Sequence, residues 1–198
     1  MATDLQAIVE SLTGFHDFGD RALVAVGAGG GQLLAYARAA RRVIAVDHDA
    51  AALARLATRA GELGMGDRME ALHADFLAVR PAGDVVVLEF CLHQMAEPAP
   101  ALDHARELAP DVVVIDHAPG SPWSWLAAED EAVRRGWAAV AARSPRRQQD
   151  VEGWQRFRDH AELEARLAAQ GALSRERVAA WRGGEPLAIA MPYRLALL

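Results

Sequence analysis

Short apolar runs alternate along this chain with longer segments of helical period, the pattern of a parallel sheet joined by crossover helices. Ala22–Val26 (ALVAV) reads as the first clear strand, Val43–Val46 as the second, and Met69–His73 as a weaker third. Val85–Glu89 (VVVLE) and Val112–Ile115 (VVVI) follow, the near-continuous apolar character expected of strands covered on both faces. Helical periodicity predicts helices over Leu5–Leu12, Gln32–Ala40, Ala50–Leu63, Ala99–Leu108, Glu129–Ala142 and His160–Gln170. Ser144–Gly153 reads as a polar loop. Arg175–Trp181 and Leu187–Leu197 read as two strands turning at Gly183-Gly184. The expected architecture is α/β: a three-layer sandwich around a seven-stranded, mostly parallel sheet that a C-terminal antiparallel hairpin closes. One domain is expected, with residues 1–19 as helix and lid, 20–120 as a ligand-binding core, and 121–198 as substrate-side helices and hairpin.

Composition removes several chemistries. All 21 basic residues among the 198 are arginine, which excludes Schiff-base and pyridoxal phosphate enzymes and the Walker A loop, since each needs a lysine amine. A net charge of −6 argues against broad nucleic-acid binding, and no apolar run is long enough to cross a bilayer. The single cysteine, Cys91, has no disulfide partner within the chain and reads as a small buried apolar residue. With no secretory pattern at the start, the expected compartment is the cytoplasm.

Chemistry concentrates in Leu23-Val-Ala-Val-Gly-Ala-Gly-Gly-Gly-Gln-Leu33. Glycines 27, 29 and 31 follow a strand and precede a helix, where bare backbone and free N–H donors admit a ligand closely. Asp47 ends the next strand, 20 residues after Gly27, where a carboxylate can accept from ribose hydroxyls. A dinucleotide fingerprint would have glycine or alanine at the position of Gln32, so a nicotinamide-dependent oxidoreductase is the second reading. The G-x-G-x-G spacing instead resembles the first motif of class I S-adenosylmethionine-dependent methyltransferases. His73-Ala-Asp75-Phe76 resembles that family's third motif. Asp84-Val-Val-Val-Leu-Glu89-Phe-Cys-Leu-His93-Gln-Met95 resembles the fourth in its small-molecule members, with Gln94 in place of a second histidine.

The resemblance implies methyl transfer from S-adenosylmethionine to a small-molecule acceptor, with no nucleic-acid or membrane partner. A non-catalytic module that binds the same nucleoside is a third reading. The implied cofactor set is Gly27, Ala28, Gly29, Gly31, Asp47, His48, Asp75, Phe76 and Glu89. His93 and His117 follow the fourth and fifth strands, on the side where open α/β sheets bind ligands, and are the catalytic candidates. His16, in the segment before the first strand, and Trp123 and Trp125, in a loop rich in proline and glycine, are candidates for holding the acceptor. His16, Glu89, His93 and His117 have the donor chemistry of a metal site, but no short-spacing motif supports one and none is expected. Trp137, Trp154 and Trp181 read as core, and Arg143, Arg146 and Arg147 as a solvated loop.

Overall fold

The first half of the chain alternates strand and helix as the apolar pattern requires. The structure, a computed structural model, describes residues 2–3, 5–182 and 187–198, so the expected turn at Gly183-Gly184 lies outside the described residues. In chain order, β1 (Ala2–Thr3) and α1 (Leu5–Phe15) precede β2 (Ala22–Val26), α2 (Leu33–Tyr36), β3 (Arg42–Asp47), α3 (Ala50–Glu62) and β4 (Met69–His73). Next come β5 (Val85–Glu89), α4 (Pro98–Leu108), β6 (Asp111–His117), α5 (Pro122–Leu126) and α6 (Asp130–Ala141). The chain closes with β7 (Arg147–Val151), β8 (Trp154–Phe157), α7 (His160–Leu167), α8 (Ala172–Ala180), β9 (Leu187–Ala190) and β10 (Tyr193–Leu197).

Seven strands form the main sheet in the order β4-β3-β2-β5-β6-β10-β7, and a second sheet has the order β1-β8-β9. Strands β4, β3, β2, β5 and β6 run parallel; β10 is antiparallel to both β6 and β7. The two-residue period of a strand divides the core. Leu23, Ala25, Val43, Ala45, Val85, Val87, Val113 and Ile115 face α1, α2 and α3. Val24, Val26, Ile44, Val46, Val86, Leu88, Val112 and Val114 face α4 and α6. A third cluster, including Trp123, Phe157, Leu163, Val178, Leu187 and Ile189, joins α5, α7 and α8 to the small sheet.

Three expected elements are corrected. Arg175–Trp181 is not a strand: Ser174 and Val178 are both buried, four residues apart on one helical face, and the Ser174 hydroxyl donates to the Leu126 carbonyl at 2.7 Å. The seventh strand of the main sheet is instead Arg147–Val151, within the expected polar loop. Its residues are nearly all exposed because it is an edge strand, held by its β10 ladder and by a bidentate Arg194–Asp150 pair directly across it. The run Leu187–Leu197 divides after Ala190, with β9 in the small sheet and β10 in the large one.

The end of α5 is a Schellman turn: Glu129 N–H donates to the Ser124 carbonyl at 2.8 Å and Ala128 N–H to that of Trp125 at 3.0 Å. This geometry puts Ala128 at φ 62°, a conformation that suits glycine. Ala128→Gly should therefore stabilise the fold by about 1 kcal/mol, raising Tm by about 2–4 °C in thermal unfolding. An unchanged or lowered Tm would contradict the strain assigned to this turn.

Candidate functional site

A cavity of about 1040 Å³ opens beyond the carboxyl ends of β2, β3, β5 and β6. Glycine is required at its floor. Gly27 has φ 75°, and a Cβ there would lie 2.6 Å from Cys91 Cβ and 2.7 Å from the Glu89 carbonyl. Gly29 N–H donates to Asp47 Oδ2 at 2.9 Å, and a Cβ on Gly29 would sit 3.1 Å from the same oxygen. The other oxygen of Asp47 accepts from Asp49 N–H at 2.9 Å. Each carboxylate oxygen keeps a second lone pair for a ligand hydroxyl. Asp75 lines the cavity while its Oδ1 caps the following turn through Leu77 N–H at 2.9 Å. Phe76 is buried beside it, edge-on to His104, and His48 lines the rim with an exposed side chain.

Glu89 ends β5 with the alternation of Val85 and Val87, so its side chain turns toward α2 and lies almost wholly buried. Its Oε2 accepts from the Tyr36 hydroxyl at 2.8 Å, while Oε1 has no hydrogen-bond partner. Burial pushes this carboxyl up to about 7, against the opposing pull of the Tyr36 hydrogen bond. Gln32 Oε1, also buried and on a residue lining the cavity, is a second acceptor without a partner.

At the other end, one carboxylate gathers two histidines. Asp116 accepts from His93 N–H at 3.0 Å, from His93 Nδ1 at 2.6 Å and from His117 N–H at 2.8 Å. Asp116, His93 and His117 are 2%, 5% and 8% exposed, so this network is shielded from water. With Nδ1 engaged, His93 Nε2 faces Glu129 Oε2 at 3.7 Å. Burial opposes a charge on His93, but the hydrogen bond and charge of Asp116, helped by Glu129, outweigh it and raise its pKa. Burial lowers His117 to about 4, keeping it neutral near pH 7, and its Nδ1 has no partner. Glu129 is raised, chiefly by burial. The Trp137 indole N–H donates to the His117 carbonyl at 2.7 Å, fixing the end of β6 from α6.

Several expected residues stand elsewhere. His16 does not reach the cavity: its Nε2 pairs with Asp111 Oδ2 at 3.2 Å, at the amino end of β6, the opposite end of the sheet from the ligand side. It therefore belongs to no metal set with Glu89, and Glu89 itself is bonded to Tyr36 instead. Trp123 and Trp125 lie on a helix rather than a strand, so their side chains diverge. Trp123 lines the cavity, stacked on Phe157 with centroids 6.0 Å apart. Trp125 is 40% exposed and lies under the Arg177 guanidinium, outside the cavity. Ala28 turns into the core, and Gly31 closes the turn at φ 87° without lining the cavity. Trp154 is exposed rather than core. Arg143 is tied to Asp103, Arg146 to Asp111 and the Leu198 carbonyl, and Arg147 lies over Phe15.

Four residues that the sequence reading did not single out for chemistry belong to the site: Tyr36, Asp116, Glu129 and Gln155. Asp116 had a signal, since it ends a strand beside a candidate histidine. Glu129 reads only as a helix start, and nothing local ties Tyr36 to a carboxylate 53 positions away.

Comparison with known proteins bears on the ligand classes that the glycine turn left open. Residues 24–115 match the methyltransferase domain family. That stretch, 92 of the 198 residues, is similar to a class I S-adenosylmethionine-dependent methyltransferase domain. No curated protein matches it. Among solved structures, the domain is similar to the YcgJ protein of Bacillus subtilis, with 13% identity and a TM-score of 0.70 over 96% of each chain. It is also similar to geranyl diphosphate C-methyltransferase of Streptomyces coelicolor A3(2), solved with Mg2+, geranyl diphosphate and S-adenosyl-L-homocysteine. That match has 17% identity and a TM-score of 0.64, covering 97% of this chain and 78% of the other. Precorrin 8W decarboxylase of Methanobacterium thermoautotrophicum matches at 14% identity and TM-score 0.62, over 96% and 88%. These three likenesses concern the fold. Among the described residues, no helix of the domain is long and apolar enough to cross a membrane.

The polar groups of the cavity suit the cofactor of that family. Two buried oxygens without partners, Glu89 Oε1 and Gln32 Oε1, match a ligand that carries an ammonium group, and the glycine turn leaves its backbone bare.

The ionisation of Glu89 makes stability depend on pH in a definite direction. Between 4.5 and about 7 the folded protein holds a proton that the unfolded chain has lost, so stability declines as pH rises through that window. The full effect is about 3 kcal/mol. Glu89→Gln should flatten this slope in chemical denaturation across pH 5–8, and should be more stable than the parent at pH 8. Parallel curves for parent and variant would contradict it.

Proposed function

We propose that the domain transfers the methyl group of S-adenosylmethionine to a small-molecule acceptor, with the donor held between the glycine turn and Glu89 and the acceptor met by His93 and His117. The observation that carries this reading is one cavity with two different ends. Acids and bare backbone line one end; a carboxylate-braced histidine pair lines the other. Its volume, about 1040 Å³, is ample for a nucleoside cofactor together with a compact acceptor.

When bound, S-adenosylmethionine supplies an electrophilic methyl group on a sulfonium. By resemblance to the family, the free lone pairs of Asp47 accept from the ribose hydroxyls and Asp75 from the adenine amine. Phe76 walls the ring, with His48 at the rim. Glu89 Oε1 and Gln32 Oε1 accept from the α-ammonium. Asp116 holds His93 with Nδ1 as the donor, so Nε2 is the nitrogen free to take a proton from the acceptor. Neutral His117 positions the acceptor by hydrogen bonding. Trp123, Gln155 and Met191 close that end of the cavity.

Calorimetric titration with S-adenosylhomocysteine tests the donor half. Asp47→Ala should weaken binding about tenfold or more, the effect of losing hydrogen bonds to a charged group. In wild-type protein near pH 7, binding should release protons as Glu89 ionises toward the ammonium, read from heats in buffers of different ionisation enthalpy. Absence of binding at millimolar ligand would end this reading. His93→Ala should leave that affinity unchanged and slow homocysteine-product formation on small acceptors by about 10²–10⁴-fold. Equal loss of binding and turnover would place His93 with the donor instead.

A further inference from the structure

We propose that His93, His117 and Glu129 bind a divalent transition-metal cation of the zinc and ferrous-iron class at the histidine end of the cavity. The site itself stands on geometry alone; its use in holding an acceptor rests on the methyl-transfer reading above. One ligand atom from each of the three residues lies within 4.8 Å of the other two. The closest pair, His93 Nε2 and Glu129 Oε2, is already at 3.7 Å. Ligands bound at about 2.1 Å stand about 3.0–3.4 Å apart, so closure needs a movement of about an ångström or a little more. Glu129, the least buried of the three, is the side chain placed to make it.

The surroundings are those of a ligand set. Asp116 fixes His93 through Nδ1 at 2.6 Å, the carboxylate–imidazole support that orients metal-binding histidines. It also holds the backbone of His117, while Trp137 holds the carbonyl of the same residue. Gln170 donates to Glu129 Oε1 at 3.3 Å, leaving Oε2 for the cation. His117 Nδ1 is buried and has no hydrogen-bond partner, so the network leaves a nitrogen lone pair unused or a proton unplaced. Asp116 and Glu129 bring two carboxylates into one shielded cluster, a charge that one divalent cation balances.

Two imidazoles and one carboxylate suit zinc, ferrous iron or cobalt, whereas magnesium favours oxygen donors and retained water. Three protein ligands leave open coordination positions toward the cavity. A small acceptor bearing an oxygen or sulfur donor would bind there with lowered proton affinity. In that form the cation occupies His93 Nε2, so metal binding and proton uptake by this histidine exclude each other.

Chelator-treated full-length protein should be titrated with Co2+ while its visible absorption is followed. One Co2+ per chain should bind, with ligand-field bands. Glu129→Gln and His117→Asn should each weaken binding by about tenfold or more, and His160→Asn, away from the cavity lining, should not. S-adenosylhomocysteine calorimetry on every variant reports whether the cofactor end remains folded. Should His117→Asn fail to fold, Glu129→Gln, at the more open edge of the cluster, decides alone. No ligand-field band, or equal Co2+ affinity in parent and Glu129→Gln protein, would overturn the site. Co2+ binding without S-adenosylhomocysteine binding would sink the cofactor reading and leave the metal site standing.

Discussion

The carboxylate of Asp116 ties together the ends of two neighbouring parallel strands. It accepts the backbone N–H and ring Nδ1 of His93, beyond β5, and the backbone N–H of His117 on β6. Burying a charge is costly unless hydrogen bonds replace its water, and here three N–H donors do so. Removing the carboxylate would leave those donors unsatisfied in a region closed to solvent. The consequence is a pair of imidazoles whose ring centroids sit 5.4 Å apart in different electrostatic states, one held toward protonation and one kept neutral. Alternation along β6 contributes: Asp116 and His117 are adjacent and therefore leave the strand on opposite faces.

The glycine end of the cavity is built differently. There the chain uses local geometry, a glycine turn between a strand and a helix and an acid at the end of the next strand. Asp47 does two things at once, clamping Gly29 through its backbone N–H and presenting remaining lone pairs to the cavity. Glu89 connects the two ends, since it closes β5 four residues before His93 and faces α2 instead of the histidine cluster. Phe90, at φ 46°, takes the chain through a left-handed turn between them.

What was legible in the sequence follows the range of the forces involved. Parallel strands buried on both faces show as apolar runs, so β2, β3, β5 and β6 and the helices between them could be read directly. The glycine turn and Asp47 are also local, and so is the match to the methyltransferase domain over residues 24–115. Strand β7 was not legible because an edge strand of polar residues is held by its partner's backbone and by Arg194, which lies 44 positions from Asp150. Helix α8 is not legible because its apolar residues sit at its two ends without helical spacing, and its buried Ser174 reads as surface until the Leu126 carbonyl is placed beside it. The rest of the cavity depends on contacts between distant segments: Tyr36 with Glu89 near the glycine turn, and Trp137 with His117 and Glu129 with His93 at the histidine end. Composition and spacing carry no record of such contacts. His16 illustrates the converse, since a histidine near the first strand looks like a lid residue until Asp111 claims it at the far end of the sheet.

A shielded histidine pair held by one carboxylate organises one end of the cavity, and imidazole nitrogen NMR on metal-free protein observes that pair directly. Across a pH titration, His117 should stay neutral down to about pH 4, while His93 should retain its proton to higher pH than an ordinary histidine. Two histidines titrating together near 6.5, as in open water, would contradict the network on which the histidine end of the cavity is built.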